Sequence, residues 1–307
     1  LAARGFDVTF QAHPAAHSIL KRARNIVGFV QPSGYADVNL DRAYEDDPER
    51  TQKHFHRMFV DRANQQLAHL GVNLGAPTNC KPRLLVKDSE REMARAKFMD
   101  YPRPWVFICP RSETYPHRQI NDGTWRDIAA NVRGTKFWLG LHPAPEGIVD
   151  LKCTHFDTLM VWLSAADLLL TVDTGPMHVA AALGVPIVAA SQSSSPDQHL
   201  NDQNDYVAVA TSLECLNCQK NLCPINPVTP PCQQVNVYGL VNWANARLRG
   251  LASESVSAVI AIYQPDAEVL NRCLEAVLPQ VDEVVVTRAA DGIVPRGTMK
   301  HPKILYV

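Results

Sequence analysis

The chain has 307 residues, 46% hydrophobic and 20% charged, enough to bury a sizeable core and too apolar for a disordered tail. Its 30 basic and 31 acidic residues leave a net charge of −1, which excludes the basic excess of a nucleic-acid binder. No apolar run reaches the ~18 residues of a membrane-spanning helix, and Arg4, Asp7 and His13 interrupt the N-terminus where a signal peptide needs an apolar stretch.

In chain order, Leu1 to Gly5 reads as a helix end, and Phe6 to Phe10 as a strand followed by a His13-Pro14 turn. Ala15 to Arg24 is helical and Ile26 to Val30 a short strand, the interior of a Rossmann-like domain. Val38-Asn39-Leu40 reads as a further strand, Glu45 to Gly71 as a long polar helical region, Pro82 to Val86 as a strand and Asp88 to Met99 as a charged helix. His54, His56 and His69 fall on the polar region as a solvated face, since His54 and His56 do not share one side of a helix.

A second βα series starts at Pro104. Trp105 to Cys109 is a buried strand, and the loop Pro110 to Arg118 carries more functional groups than a turn needs. Thr124 to Val132 is a helix, Lys136 to Leu141 a strand, and Thr158 to Ala165 a helix. Leu168 to Val172 is a continuous apolar strand of the kind covered on both faces in a parallel sheet. Asp173-Thr174-Gly175 breaks the pattern. Pro176 suits a first helical turn, and Gly184 with Pro186 ends the Ala-rich helix. Ile187 to Ala190 is the next strand. A helix start at the carboxyl end of a parallel strand gathers free N–H groups and the positive end of the helix dipole, a place for a phosphate. His178 can add a donor there. The loop Ser191 to His199 suits contacts to a sugar or phosphate, or is a surface loop.

Of eight cysteines, four crowd into one Pro-rich loop: Cys215-x2-Cys218-x4-Cys223-x8-Cys232. Four thiolates can close a tetrahedral zinc site; reduced thiols and a disulfide are the other readings. Cys80, Cys109, Cys153 and Cys273 stand apart and read as packing residues. This usage points to a cytoplasmic protein with one special cysteine cluster rather than a disulfide scaffold.

The run Asp173-Thr174-Gly175-Pro176-Met177-His178, followed by Ala-Ala-Leu-Gly-Val-Pro, resembles the donor-binding motif of the heptosyltransferase family of GT-B glycosyltransferases, glycosyltransferase family 9. Arg118 seven residues before Trp125, the Ser-rich loop with Pro196-Asp197, and the cysteine-rich segment agree with it. The resemblance covers Pro104 to about Val235 well and Leu1 to Met99 more loosely. It implies an inverting transfer of a sugar, heptose or a relative, from a nucleotide-diphosphate donor such as ADP-heptose. The acceptor it implies is a carbohydrate or lipid-linked glycan at the cell surface, such as lipopolysaccharide core. The site it implies joins Thr174 and Gly175 (main-chain contacts to the diphosphate) and Pro176. Asp173 would hold sugar hydroxyls or the loop, and His178 would lie near the phosphates. Arg118 would neutralise the leaving group, with Ser112 and Thr114 as hydroxyl partners. No cofactor is required, and membrane association is peripheral at most, on the inner face. The family's base, an aspartate after the first strand, falls before Leu1. Both chain ends read as cut from a longer protein, and no residue here inherits that role. Two other readings remain open: a non-catalytic sugar-nucleotide-binding module, and a GT-B-fold sugar-nucleotide epimerase.

Tyr238 to Leu251 is a closing helix. Composition then resets at Ser253-Glu254-Ser255. Val256 to Tyr263 (strand), Asp266 to Leu278 (helix) and Glu283 to Thr287 (strand) resemble the opening of a family 2, GT-A glycosyltransferase, with Ile304 to Val307 as a further strand. The expected architecture is α/β. Residues 1–100 form an N-terminal acceptor-side Rossmann-type lobe. Residues 101–252 form a donor-binding lobe with its Cys-rich loop at 215–232. Residues 253–307 are a βαβ fragment of a GT-A-like domain.

Overall fold

The computed structural model describes residues 9–11, 19, 21–22, 28–30, 38–40, 43–44, 46–49, 53–75, 82–112, 116–200, 204–220, 222–249, 257–262, 266–278, 281, 283–288, 298–299 and 304–306. The chain divides into two compact units, Leu1–Asn245 and Ala246–Val307.

In the first unit, β1 (Thr9–Gln11) and β2 (Gly28–Val30) pair in parallel, Phe10 opposite Phe29. Helix α1 (Phe55–Leu67) is capped by His54, whose ring accepts the His56 N–H, and it buries Met58, Ala63 and Leu67. A 3₁₀ turn at Ala68–Leu70 follows, closed by Gly71 at φ +67°. Helix α2 (Asp88–Phe98) opens on Asp88 and Glu90 and closes on Arg95 and Lys97, the charge order that suits the helix dipole. Glu90 accepts the Lys87 N–H at 2.8 Å, a capping contact, and also pairs with Arg22 at 2.8 Å. At the far end Phe98 is buried against Trp105, Phe107 and Phe137 and anchors α2 to the sheet.

That sheet has six parallel strands. They are β3 (Trp105–Cys109), β4 (Thr135–Trp138), β5 (Val149–Asp150), β6 (Leu168–Val172), β7 (Ile187–Ala190) and β8 (Tyr206–Val209), in the order β5-β4-β3-β6-β7-β8. Every residue of β3, β6 and β7 is buried, as uninterrupted apolar runs require once both faces are covered. Helices α3 (Asp122–Asn131), α4 (Phe156–Leu163) and α5 (Gly175–Leu183) alternate with the strands, and α6 (Val237–Arg249) follows the cysteine-rich loop. The chain winds outward from β3 to β5, then returns to β6 beside β3 and winds the other way. The loops leaving β3 and β6 therefore diverge and open a crevice at their carboxyl ends, the usual ligand position of a doubly wound sheet.

The second unit holds β9 (Ser257–Ile262), α7 (Ala267–Val277), β10 (Glu283–Arg288) and β11 (Ile304–Tyr306), with β10 pairing in parallel with both other strands. Asp266 caps α7 by accepting the Glu268 N–H at 2.8 Å. Leu270, Leu274 and Leu278 pack with Val284 and Val286 in its core.

Three expectations are corrected. Residues 38–40 form no strand, and residues 82–86 belong to no strand of a sheet. Their backbone bonds other elements instead of a strand: the Asn39 N–H reaches Gln66 Oε1 of α1 at 2.7 Å, and the Leu84 N–H reaches Ala182 O at 3.2 Å. The long polar helix starts only at Phe55, because Pro48 and the Asp47 side chain, which accepts the Glu49 N–H, favour turns before it. The readings at Leu1 to Gly5, the His13-Pro14 turn and most of Ala15 to Arg24 lie outside the described residues. The short outer strands β5 and β8 went unread, being too brief or too exposed to show a period.

Candidate active site

Three loops meet at the crevice. The first leaves β3 and is held in shape by Trp125. That ring is fully buried on α3, and its indole N–H donates to Pro110 O at 3.2 Å. Asn121 caps α3 by accepting the Thr124 N–H at 2.8 Å. The loop then folds back on itself: the Ser112 N–H donates to Arg118 O at 3.3 Å, and Arg111 bridges to Gln119 in antiparallel fashion. This brings Arg118 to the mouth of β6. Ser112 is buried in the base of the loop, and Thr114 lies outside the described residues.

The second loop is the turn from β6 into α5. Thr174 is its extended N-cap, Pro176 stands in the first turn, and Gly184 at φ +75° ends the helix. Gly175 is exposed, and a Cβ built on it would meet nothing within 4 Å. In the first turn of α5 Pro176 has no N–H and the Met177 N–H donates to Thr174 O at 3.0 Å, so Gly175 supplies the amide at this exposed helix end.

Asp173, immediately before this turn, is buried. Its Oδ2 lies 3.0 Å from Arg118 Nη1 and 3.4 Å from His199 Nε2, and it accepts the Ser194 hydroxyl. His178 Nε2 stands 4.0 Å from Oδ1. Burial pushes the Asp173 carboxyl up. The His199 contact, the Arg118 charge and the Ser194 hydroxyl outweigh it and hold the group at about 2. The carboxylate is thus ionised, and its close contacts gather on Oδ2. It ties the loop after β3 (Arg118), its own turn, and the loop after β7 (Ser194, His199) into one piece, while Oδ1 faces His178 at 4.0 Å. The surrounding protein pushes the His178 imidazole down, aided by His199 and Arg118 and opposed by Asp173. Its side chain is still 48% exposed at the mouth.

His199 and Ser194 are the residues that pattern reading did not single out. The signal was available, because neighbouring parallel strands deliver their loops to one edge and the Ser-rich loop leaves β7, next to β6. His199 also meets the N-terminal part of the unit. Its ring lies 5.2 Å from Phe55 and 6.4 Å from Tyr44, and the His54 ring bonds Leu200 O at 2.8 Å.

The cysteine-rich loop is fastened to the same place. Cys215, Cys218, Cys223 and Cys232 are free thiols and line one cavity of about 50 Å³ with His117 and Ser193. The Cys232 thiol donates to His117 O at 3.8 Å, next to Arg118. Gln192 Nε2 donates to Cys232 O at 3.1 Å, and the N–H groups of Asn217 and Gln219 reach Gln192 O and Ser193 O at 2.9 and 2.7 Å. Among the described residues no group of three or more histidine, cysteine or acidic side chains is arranged to hold a metal. A second cavity, about 150 Å³, opens at the ends of β3, β4 and β6 between Arg111, Gly140, Leu141, Thr174 and Pro176.

The sequence profile of glycosyltransferase family 9 (heptosyltransferase) matches residues 15–229, well over half of the chain. The chain belongs to glycosyltransferase family 9. Among solved structures, it is similar to the ADP-heptose LPS heptosyltransferase II of E. coli, at 17% identity over 80% of this chain and 90% of that one, TM-score 0.53. It is also similar to TibC of enterotoxigenic E. coli H10407, an iron-containing dodecameric glycosyltransferase, at 17% identity over 82% and 70%, TM-score 0.51. TibC in complex with ADP-D-beta-D-heptose gives 17% identity over 83% and 72%, TM-score 0.54. No curated protein matches the chain. At these identities the structures speak for the fold, an α/β parallel-sheet architecture of GT-B type, while the family match makes this family 9 protein a glycosyltransferase. Among its described residues no helix is long and apolar enough to cross a membrane.

Proposed function

We propose that this family 9 enzyme moves a heptose or related sugar from a nucleoside-diphosphate donor, ADP-heptose, to a cell-surface glycan such as lipopolysaccharide core. What carries the reading is the open turn at Gly175 and Pro176, which heads α5 directly beside the Arg118–Asp173 pair. The diphosphate lies on the amides of that turn, with Thr174 and Gly175 as its main-chain contacts. As the sugar–phosphate bond breaks, negative charge grows on the leaving phosphate. The α5 dipole, Arg118 and the half-exposed His178 are already aimed at it, so they stabilise the transition state more than the ground state. Ser112 belongs to the base of the loop that carries Arg118. The nucleoside occupies the cavity between Arg111, Gly140 and Leu141. Of the two roles considered for Asp173, holding the loops is the one its buried carboxylate supports. The reaction needs no cofactor.

In this reading residues 1–100 form the acceptor-side lobe and 101–252 the donor lobe. The enzyme works in the cytoplasm, on the inner face of the membrane at most. Cys215, Cys218, Cys223 and Cys232 would hold a structural zinc only by drawing together from their present places: the four free thiols line one cavity but are not arranged to hold a metal. Burial and the other three sulfurs push the Cys232 thiol up to about 11. Such a metal would close the loop and take no part in the reaction. The unit from Ala246 onward is read as the start of a GT-A-like domain, on the support of its parallel β9–α7–β10 arrangement.

A panel of nucleotide sugars in a binding assay tests the transferase reading, with Asp173→Ala, Arg118→Ala and His178→Ala alongside. ADP-heptose should bind the wild type and lose affinity in all three variants; a wild type that binds no nucleotide sugar refutes the reading. Metal analysis of the purified protein against Cys218→Ser tests the zinc: about one equivalent that the variant loses supports it, and a metal-free wild type removes it.

A further inference from the structure

His199 is used by nothing in the mechanism above except as a neighbour of Asp173. Its side chain is only 9% exposed, its Nε2 stands 3.4 Å from Asp173 Oδ2, and both ring nitrogens are buried with no hydrogen bond of good geometry. The ring is fixed in place. Phe55 and Tyr44 pack on it from the N-terminal side, and His178 of α5 meets it edge-on at 5.5 Å. A neutral imidazole has one donor and one acceptor, whereas an imidazolium has two donors. Only the charged form can serve Asp173 with one N–H and present the other to an anion.

The charges around it say when that form is favoured. The titratable and polar groups that face His199 are Asp173 from the turn after β6, Arg118 from the loop after β3, His178 from α5, Ser194 from its own loop, and the phenol of Tyr44. Asp173 is the anion of this set, and Arg118 already neutralises it at 3.0 Å. A second positive charge here lacks a counter-charge until an anion enters. A nucleoside diphosphate on the α5 amides brings one.

We infer that His199 is a second cation of the diphosphate site, an imidazole that takes a proton from solvent as the nucleoside diphosphate arrives and then donates it in a hydrogen bond to the anion. The inference rests on the donor reading and adds to it a residue and a proton. Donor and product both bind with proton uptake, so their affinity falls as pH rises through the histidine range.

Titration calorimetry of the full chain with ADP at pH 7.5, in two buffers of different ionisation enthalpy, reads the uptake directly. The wild type should gain roughly 0.3 to 1 proton per ADP, the span open to one imidazole. His199→Gln keeps a polar group of similar size and cannot charge. It should lose at least half of the uptake and bind ADP about tenfold more weakly at pH 6.5, as expected for one charge-assisted contact, with a smaller deficit at pH 8.5. His178→Gln, measured in parallel, separates the share of the more exposed ring. Uptake unchanged in His199→Gln overturns the inference while leaving the donor reading intact. Where that variant does not fold, His199→Asn takes its place with the same expected loss of uptake, and ADP binding by the wild type without any proton uptake overturns the inference equally. A wild type that binds no ADP removes the donor reading and this inference together.

Discussion

Asp173→Asn keeps the shape of the joint and removes its charge. In the folded chain the carboxyl is held at about 2 instead of the ordinary 3.8. That difference corresponds to about 2–3 kcal/mol of stability at neutral pH. Breaking a buried pair by removing one partner gives a similar size, about 3–5 kcal/mol, because Arg118, with 16% of its side chain exposed, keeps its charge and loses the carboxylate at 3.0 Å. The expected loss is therefore about 2–4 kcal/mol. The sign with pH follows from the direction. A depressed carboxyl stabilises the fold above its unfolded value and loses that contribution as pH falls from 3.8 towards 2. The wild-type advantage over Asp173→Asn should thus be complete at pH 7 and shrink below pH 4. All five tryptophans precede Ala246, so fluorescence-monitored urea unfolding reports the first unit alone. If Asp173→Asn matches the wild type within about 0.5 kcal/mol at pH 7, the range of an ordinary surface substitution, then the carboxylate is not what ties the three loops.

Gly175→Ala separates folding from binding. Its Cβ meets nothing within 4 Å, so the melting temperature should stay within a few degrees or rise, while a methyl group on the diphosphate path should weaken ADP binding about tenfold or more by calorimetry. Arg118→Met, which keeps the stem and drops the charge, should lower kcat/KM for the nucleotide-sugar donor by about 100-fold or more, in steady-state kinetics. Trp125→Phe removes the indole N–H from Pro110 O and should cost about 1–3 kcal/mol in the same urea experiment, with a further loss of donor affinity as the loop after β3 loosens. Ser194→Ala should raise the Asp173 carboxyl, so that acid unfolding begins at higher pH than in the wild type.

The parts that sequence made legible share one physical cause. β3, β6 and β7 are buried on both faces, so their apolar runs are continuous and their ends sharp, and each was read to the residue or nearly so. The turn into α5 was equally plain, because Pro176 and Gly184 leave the backbone little choice. Edge strands β5 and β8 carry no such constraint: part of each faces solvent, and a two-residue strand has no period to detect. For the polar stretch before Phe55 the sequence predicts helix, because charge composition does not distinguish a solvated helix from a run of turns.

The same logic explains what the site withheld. A motif is contiguous, so Asp173 through His178 could be read along the chain, yet the partners that set the chemistry of Asp173 come from 55 residues before it and from 21 and 26 residues after it. No local pattern links Arg118, Ser194 and His199. They are brought together by the winding of the sheet, which returns β6 to the side of β3 and lays β7 against it. Once that order is known, the three loops must share one edge, and a carboxylate buried where they meet has to find cations there, since an unpaired buried charge costs several kcal/mol. Asp173 is thus better understood as the joint of the donor site than as a group reaching for the sugar. Its ionisation keeps Arg118 and His199 beside an open helix end, where, on the donor reading, an incoming diphosphate would meet the charge of Arg118.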